Sequence, residues 1–382
     1  MIPYGRQDIT QDDIDAVVDI LTSDFLTQGP AVPAFEARLC DVTGSKYASA
    51  VNSATSALHI SCLALGLGQG DLLWTVPNSF VASANCGIYC GAMVDFVDID
   101  PITLNISVTA LEIKLEQASK VGKLPKILVV VHFGGEPCDL VKINELSGKY
   151  GFRIIEDASH AVGASHKGEP VGNCRYSDVT IFSFHPVKIV TSGEGGAVLT
   201  NCSELDQELK LLRSHGITRD PNLMQNPNDS VWYYEQIKLG FNYRMTDIHA
   251  ALGTSQLSRL SECISKRHEF AEVYDRELSS SNVQLPFRNA NHISALHLYV
   301  IQVDEEKRQR IFNSLRGNGI GVNLHYIPIH TQPYYQAMGF RWGDYANAEM
   351  YSKRAISLPM YATLQREQQN YVIESLKLLC DD

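Results

Sequence analysis

The sequence lacks a long apolar run. Its longest, ILVVV at 127–131, falls far short of the roughly 20 residues a membrane-spanning helix needs, so no membrane association is expected. It also lacks a basic cluster, and its formal net charge of −11 disfavours a nucleic-acid surface; an anionic substrate would have to meet a local set of donors instead. The nine cysteines are scattered and odd in number, with no CxxC pair and no Cys/His group at zinc spacing. Reduced thiols are therefore expected, most of them small core residues, and no metal site. The first residues, MIPYGRQDITQDD, have neither the basic start nor the apolar stretch of a secretory signal, and a cytoplasmic location is expected. Nor does a GxGxxG stand between a first strand and its helix. GLGQG at 66–70 ends a helical stretch and GEGG at 193–196 follows a lysine-bearing loop, which argues against a nicotinamide-dependent oxidoreductase.

What is present is a core-forming chain of 382 residues, 45% hydrophobic and 20% charged, long enough for two domains. Between Tyr47 and Thr200, strand-like runs (YASAV, MVDFVDI, KILVVVHF, FRIIED, VTIFSF, AVLT) alternate with helical segments at 54–65 and 139–150. Such alternation requires crossover connections and predicts an α/β fold, a mostly parallel sheet covered by helices on both faces. Upstream, DDIDAVVDILTS predicts a helix with apolar residues Ile14, Val17, Val18 and Leu21 on one face. From about Met245 the pattern changes to a long helix over 247–278, the run LHLYVIQV, a helix near 307–318 and GVNLHYIPI. This predicts a smaller α+β unit, and the expected division is 1–245 and 246–382.

In an open α/β sheet, ligands collect at the carboxyl ends of the strands. Three features fall there. VNSATSALHI follows the strand YASAV and opens a helix, so the backbone N–H groups of Thr55 and Ser56 can receive a phosphate; the same residues can equally be an ordinary helix start capped by Ser53. Asp157 ends the strand FRIIED, where an aspartate either caps the next turn or pairs with a cationic heteroaromatic nitrogen. Lys188 lies in the loop between VTIFSF and SGEGG. A lysine in a loop is ordinarily solvated surface. Beside these neighbours it suggests pyridoxal phosphate chemistry, which needs an amine that can deprotonate, an acid to hold the ring cationic and a phosphate cradle. Gly193, Gly195 and Gly196 either let backbone pass close to such a site or simply form a tight turn.

Eight stretches carry a resemblance in order and over nearly the whole length: DFLTQGPAVPAFE, NSATSALH, PNSFVASAN, IEDASHAVGA, FSFHPVKIVTSGEGGA, LRSHGI, LGFNYRMTDIHAALGTSQL and GVNLHYIPIH. The chain resembles the DegT/DnrJ/EryC1/StrS family of nucleotide-sugar aminotransferases. The resemblance implies a fold-type I enzyme with pyridoxal 5′-phosphate as cofactor, a large cofactor-binding domain over 1–245 with a small domain over 246–382, and a homodimer with shared active sites. It implies Lys188 as the lysine that binds the cofactor and shuttles protons, Asp157 as partner of the pyridinium nitrogen, and His160 as partner of the ring's phenolic oxygen. Phe80 matches the aromatic that stacks on the ring, although an ordinary core role is open to it. Ser183 matches a phosphate-contacting hydroxyl, otherwise a strand-end hydrogen bond, and Asn242 matches the residue that reaches the phosphate of the neighbouring subunit, otherwise a turn asparagine. Dehydratases in the family carry a histidine in place of the lysine, whereas this chain keeps lysine, which favours transamination with L-glutamate as amino donor. A non-catalytic regulator on the same scaffold would be expected to have lost Lys188 or Asp157.

Within the family, PYGRQDI, DFLTQGP, NSATSAL, SFVASAN, FSFHPVK, RSHGI and HYIPIHTQPYY are most similar to the transaminases that form UDP-4-amino-4,6-dideoxy-N-acetyl-β-L-altrosamine in pseudaminic acid biosynthesis. Those enzymes aminate C4 of a UDP-linked ketosugar, a UDP-4-keto-6-deoxy-N-acetylhexosamine. Enzymes of bacillosamine-type or perosamine-type sugars, acting at C4 or C3, are the alternative. Tyr4, Arg6, Thr27, Gln28, His215, His325 and Tyr326 lie beside these motifs and are the candidate sugar-nucleotide contacts, each with a structural role as its ordinary alternative.

Overall fold

The apolar runs between Tyr47 and Thr200 become strands of one sheet in the computed structural model of the chain, which describes residues 1–226 and 230–381. The strands are β1 (Tyr47–Val51), β2 (Leu72–Thr75), β3 (Met93–Phe96), β4 (Ile127–Val131), β5 (Arg153–Asp157), β6 (Val179–Ser183) and β7 (Gly196–Thr200). They lie side by side in the order β1-β7-β6-β5-β4-β2-β3. Pairing is parallel from β6 through to β3, and β7 runs against the rest, antiparallel to both β1 and β6. β2 is the one strand that the apolar runs did not single out.

Side chains alternate between the two faces of a strand, so a strand covered on both sides reads as one continuous apolar run. On one face Ile127, Val129, Ile155, Ile181 and Val198 pack against α3 (Ala54–Ala64), α4 (Ala82–Tyr89) and α7 (Ser203–Arg213). On the other face Leu128, Val130 and Ile154 meet α5 (Val108–Lys120) and α6 (Leu140–Tyr150). Towards the β1 edge of that second face, Ala48, Ala50, Phe182 and Leu199 pack on α2 (Ala31–Thr43) and α8 (Asp247–Ser258).

Two expectations change. The first helix, α1 (Gln11–Leu21), forms as expected, but its predicted apolar face points outward: Ile14, Val18 and Leu21 are 48%, 47% and 55% exposed. α1 instead turns Asp13 inward, fully buried, because α8 and its C-terminal end present donors to it. The Asp13 carboxylate accepts hydrogen bonds from Ser255 Oγ (2.6 Å), Gln256 Nε2 (2.7 Å) and Arg259 Nη2 (2.6 Å). The single long helix expected over 247–278 is two, α8 and α9 (Leu260–Leu278), divided at Arg259, whose backbone departs from the helix (φ −102°, ψ 9°).

Beyond α9, strands β8 (Tyr299–Gln302) and β9 (Ala355–Leu358) pair antiparallel, and α10 (Glu305–Gly317) precedes the short α11 (Pro333–Gln336), α12 (Ala346–Arg354) and the terminal α13 (Arg366–Asp381). Tyr274, Tyr299, Ile301, Ile311, Leu315, Ile356 and Val372 form the core of this part. Residues 2–4 join it: Ile2 N–H donates to Gly319 O (2.8 Å), and Met360 N–H donates to Tyr4 O (3.0 Å). Among the described residues no helix is long and apolar enough to cross a membrane.

Candidate active site

Val51 at the end of β1 and Ser183 at the end of β6 both pair with Gly196, the first residue of β7, so three strands bring their loops to one edge of the sheet. Glycine is required at 196: a Cβ there would lie 2.5 Å from Ala54 N and 2.6 Å from Ser53 C. The N-terminus of α3 therefore sits directly against the start of β7, beside the loop that carries Lys188. The capping reading of that helix start is observed. Ser53 Oγ accepts from Ser56 N–H (3.1 Å), and the Ser56 hydroxyl donates to Asn52 Oδ1 (2.6 Å). Ser56 thus has no free amide to offer, whereas the amides of Ala54 and Thr55 have no hydrogen-bond partner among the described residues.

These loops enclose a cavity of about 430 Å³ lined by Thr55, Phe80, Asp157, His160, Ser183 and Lys188 from the sheet side, and by Tyr4, His297, Asn323, His325 and Tyr326 from the C-terminal side. Asp157 is buried and held by three donors: Ser83 Oγ (2.7 Å) on one oxygen, Ser159 Oγ (2.6 Å) and Ser159 N–H (3.2 Å) on the other. Lys188 is half-buried, and its ammonium has no hydrogen-bond or ion-pair partner among the described residues. Burial pulls its pKa down to about 8, with the nearby Asp157 acting in the opposite direction. A free amine is accordingly far more accessible here than on a surface lysine. The hydroxyls of Thr55 and Ser183 are also without partners among the described residues, and Phe80, 59% exposed, presents its ring at the cavity rather than in the core.

The C-terminal wall is aromatic and histidine-rich. His160 Nε2 lies 3.0 Å from Tyr326 OH, and Gly134 N–H donates to His160 Nδ1 at 3.3 Å. Burial lowers the pKa of His160 well below the ordinary imidazole value, and Lys188 and His325 lower it further. His325 is pulled down to about 4 by burial and then by Lys188, and its Nδ1 is 2.8 Å from Ser357 Oγ. Burial raises the Tyr326 hydroxyl, as does Asp157.

The structure does not bring every candidate to this cavity. Arg6 lines a separate opening with Tyr361, Gln365 and Gln368. Thr27 bridges to Thr246, Gln28 has positive φ (57°) and His215 uses its N–H on Phe241 O (2.9 Å), all outside the lining of the main cavity. Asn242 is exposed and also outside it. Sequence reasoning in turn missed His297, which sits just before β8 in a run legible only as a strand, and the serines that hold Asp157. Ser83 and Ser159 do fall within the quoted motifs, but motif membership says nothing about which oxygen they face.

Residues 7–377 match the DegT/DnrJ/EryC1/StrS aminotransferase family. The chain belongs to that family. A UDP-4-amino-4,6-dideoxy-N-acetyl-β-L-altrosamine transaminase of Campylobacter jejuni is 37% identical over 383 residues, covering 98% of this chain and 96% of the relative. Among solved structures, Helicobacter pylori PseC, an aminotransferase of pseudaminic acid biosynthesis, superposes with a TM-score of 0.91 at 31% identity, covering 100% of this chain and 99% of that one. Spr1654 of Streptococcus pneumoniae in its PLP form gives a TM-score of 0.90 at 28% identity, covering 100% of this chain and 98% of that one. This DegT/DnrJ/EryC1/StrS aminotransferase works with pyridoxal phosphate, and the donor set fits that cofactor. The cavity lining includes unpaired hydroxyls and helix-start amides suited to a phosphate, a buried carboxylate suited to a ring nitrogen, and an amine without a hydrogen-bond partner among the described residues.

Proposed function

We propose that this aminotransferase carries the amino group of L-glutamate to C4 of a UDP-4-keto-6-deoxy-N-acetylhexosamine, giving UDP-4-amino-4,6-dideoxy-N-acetyl-β-L-altrosamine for pseudaminic acid synthesis in the cytoplasm. The observation that carries this reading is the 37% identity across 98% of the chain to the Campylobacter jejuni enzyme named for that product. Bound pyridoxal phosphate supplies the carbonyl that takes up nitrogen and a ring that accepts an electron pair. Asp157 keeps the ring nitrogen protonated, so that negative charge can spread into the ring at low cost. The hydroxyls of Thr55 and Ser183, with the amides of Ala54 and Thr55, would hold the phosphate, and Phe80 would supply an aromatic surface for the ring. Lys188, as free amine, would take the proton from the α-carbon of glutamate and pass it to the cofactor carbon that has received the nitrogen, and in the second half-reaction would carry a proton from that carbon to C4 of the sugar. Tyr4, Asn323 and His325 face the sugar.

The reading extends to a homodimer in which Asn242 reaches the phosphate of the neighbouring subunit. The exposed apolar residues of α1, with Phe25 (52% exposed) and Leu26 (49%) beyond it, support a protein partner on that side. Mixing Lys188→Ala chains with Asn242→Ala chains tests this: heterodimers hold one intact site, and activity should partly recover. No recovery after verified subunit exchange removes Asn242 from the partner's site.

The substrate is tested by the second half-reaction. Enzyme aminated with glutamate is mixed with the β-L-configured UDP-4-keto-6-deoxy-N-acetyl sugar, its α-D counterpart or a dTDP-4-ketohexose, and the return of the cofactor's carbonyl form is followed by absorbance. The β-L sugar should react fastest, by up to about 10⁴-fold, because a changed configuration swings C4 away from the amine and leaves buried polar groups unpaired. Fastest reaction with either competitor overturns the substrate assignment and leaves the aminotransferase intact.

A further inference from the structure

Taking a charge out of water is costly unless it is paired and hydrogen-bonded. Arg267, on α9, is 3% exposed, and no carboxylate pairs with it among the described residues. Its Nε has no hydrogen-bond partner among them either. Burial lowers its pKa to about 10, so the guanidinium stays charged at neutral pH. What that charge meets is backbone: Arg267 Nη1 donates to Leu296 O (3.0 Å), His297 O (3.3 Å) and Met360 O (3.2 Å).

Those carbonyls belong to two segments that serve the C-terminal wall of the cavity. Leu296 has φ 49°, in the left-handed region that leucine rarely adopts, and such backbone persists only where its surroundings over-determine it. Arg267 holds it from behind, and the next residue, His297, lines the cavity with its ring 4.4 Å from that of His160. Met360 follows β9 in a turn that α9 grips twice, since Tyr274 OH donates to Pro359 O (3.0 Å). Met360 N–H donates in turn to Tyr4 O (3.0 Å), and Tyr4 lines the cavity with its ring 5.3 Å from that of His325. One guanidinium therefore stands behind His297 and, through Met360, behind Tyr4, while Arg267 itself is not part of the cavity lining. We infer that Arg267 is a positioning residue for the sugar half of the reaction, presenting His297 and Tyr4 to the sugar by tying the carbonyls of Leu296, His297 and Met360 to α9. This rests on the reading in which the C-terminal wall meets the sugar.

The test measures the two half-reactions separately in Arg267→Met, which keeps an apolar stem and removes the charge and its donors, in Arg267→Lys, and in Tyr4→Phe and His297→Ala. The sugar is whichever of the three ketosugars named above the parent enzyme accepts fastest, so a wrong substrate assignment does not void the result. Arg267→Met should raise the half-saturating sugar concentration about tenfold, the weight of roughly one hydrogen bond to the bound sugar, and leave the maximal rate and the glutamate half-reaction within about twofold. Arg267→Lys keeps the charge and three hydrogens on a side chain one bond shorter, and should raise that concentration only about threefold. In the cofactor-free enzyme, amide hydrogen exchange of Arg267→Met should quicken at residues 2–4, 296–298 and 358–361 and keep the parent rate in β5 and α3. Equal losses in the two half-reactions, an unchanged half-saturating sugar concentration, or unchanged exchange at those residues overturns the assignment and leaves Arg267 a core residue. If thermal unfolding shows that Arg267→Met does not fold, Arg267→Lys decides by the same split. Tyr4→Phe and His297→Ala test the underlying reading: if neither changes the sugar half-reaction, the C-terminal wall does not meet the sugar and that reading falls. If either does while Arg267→Met does not, only the role of Arg267 falls.

Discussion

The two walls of the cavity are built in different ways. On the sheet side, Thr55, Asp157, Ser183 and Lys188 stand on strand ends, a helix start and one short loop, each within a few residues of the backbone element that places it. On the C-terminal side, His325 and Tyr326 are held by contacts from distant parts of the chain: Tyr351 OH donates to His325 O (2.6 Å), Ser357 Oγ meets His325 Nδ1, and Asn78 reaches Tyr326 N. Tyr4 arrives through residues 2–4, which dock on the C-terminal core. Sheet hydrogen bonding makes the first wall stiff, which suits groups that meet the cofactor. The second wall can change its side chains without disturbing the sheet, which suits groups that choose a sugar.

If the first wall carries the chemistry, the largest effect belongs to it. Lys188→Ala should lower turnover on the order of 10⁴-fold, as expected when a proton-transfer group is removed, and abolish the visible absorbance of lysine-bound cofactor. A variant that retained both would move the chemistry elsewhere in the cavity. Asp157→Asn comes next, with a fall of roughly 10²- to 10³-fold in kcat and a smaller change in cofactor affinity, because the carboxylate matters most as charge develops. Steady-state rates and a cofactor titration separate the two quantities, and unchanged kcat would leave Asp157 a turn-capping residue.

The pH dependence sharpens the same comparison. If the neutral amine of Lys188, whose pKa is lowered to about 8, is the group that captures pyridoxal phosphate, the rate of capture should rise with pH and level off above that value. Asp157→Asn removes the one influence that raises the lysine's pKa and should move the midpoint down. A midpoint near that of a free lysine would contradict the burial of Lys188.

Smaller effects test whether the walls are separable. Gly196→Ala forces a Cβ to 2.5 Å from Ala54 N and should cost about 1–3 kcal/mol of stability together with cofactor affinity, read from thermal unfolding and a binding titration. Ser357→Ala takes away the partner of His325 on the other wall. It should cost about 1 kcal/mol, appear as a raised KM for the sugar, and leave the glutamate half-reaction unchanged. An equal loss in both half-reactions would show the two walls acting as one.

Local chemistry accounts for what is legible in the sequence. Continuous apolar runs became strands because both sheet faces are covered, and Asp157, Lys188 and the helix start at Ser53 were readable because the ligand edge of an α/β sheet follows from where its strands end. Gly196 could be seen as a glycine, but only the packing of β7 on α3 requires it. The outward apolar face of α1 and the inward turn of Asp13 were not readable, since periodicity identifies an apolar stripe without saying what it meets, and a carboxylate surrounded by Ser255, Gln256 and Arg259 is stable in the interior. The sequence by itself thus determined the α/β fold and put Asp157 and Lys188 at its strand ends, each placed by its neighbours along the chain. Only the tertiary structure decided which wall His297, Tyr326 and Tyr4 would build, and that His160 Nε2 comes to lie 3.0 Å from Tyr326 OH, because a hydrogen bond between residues 166 positions apart depends on how the two parts of the chain close on one another.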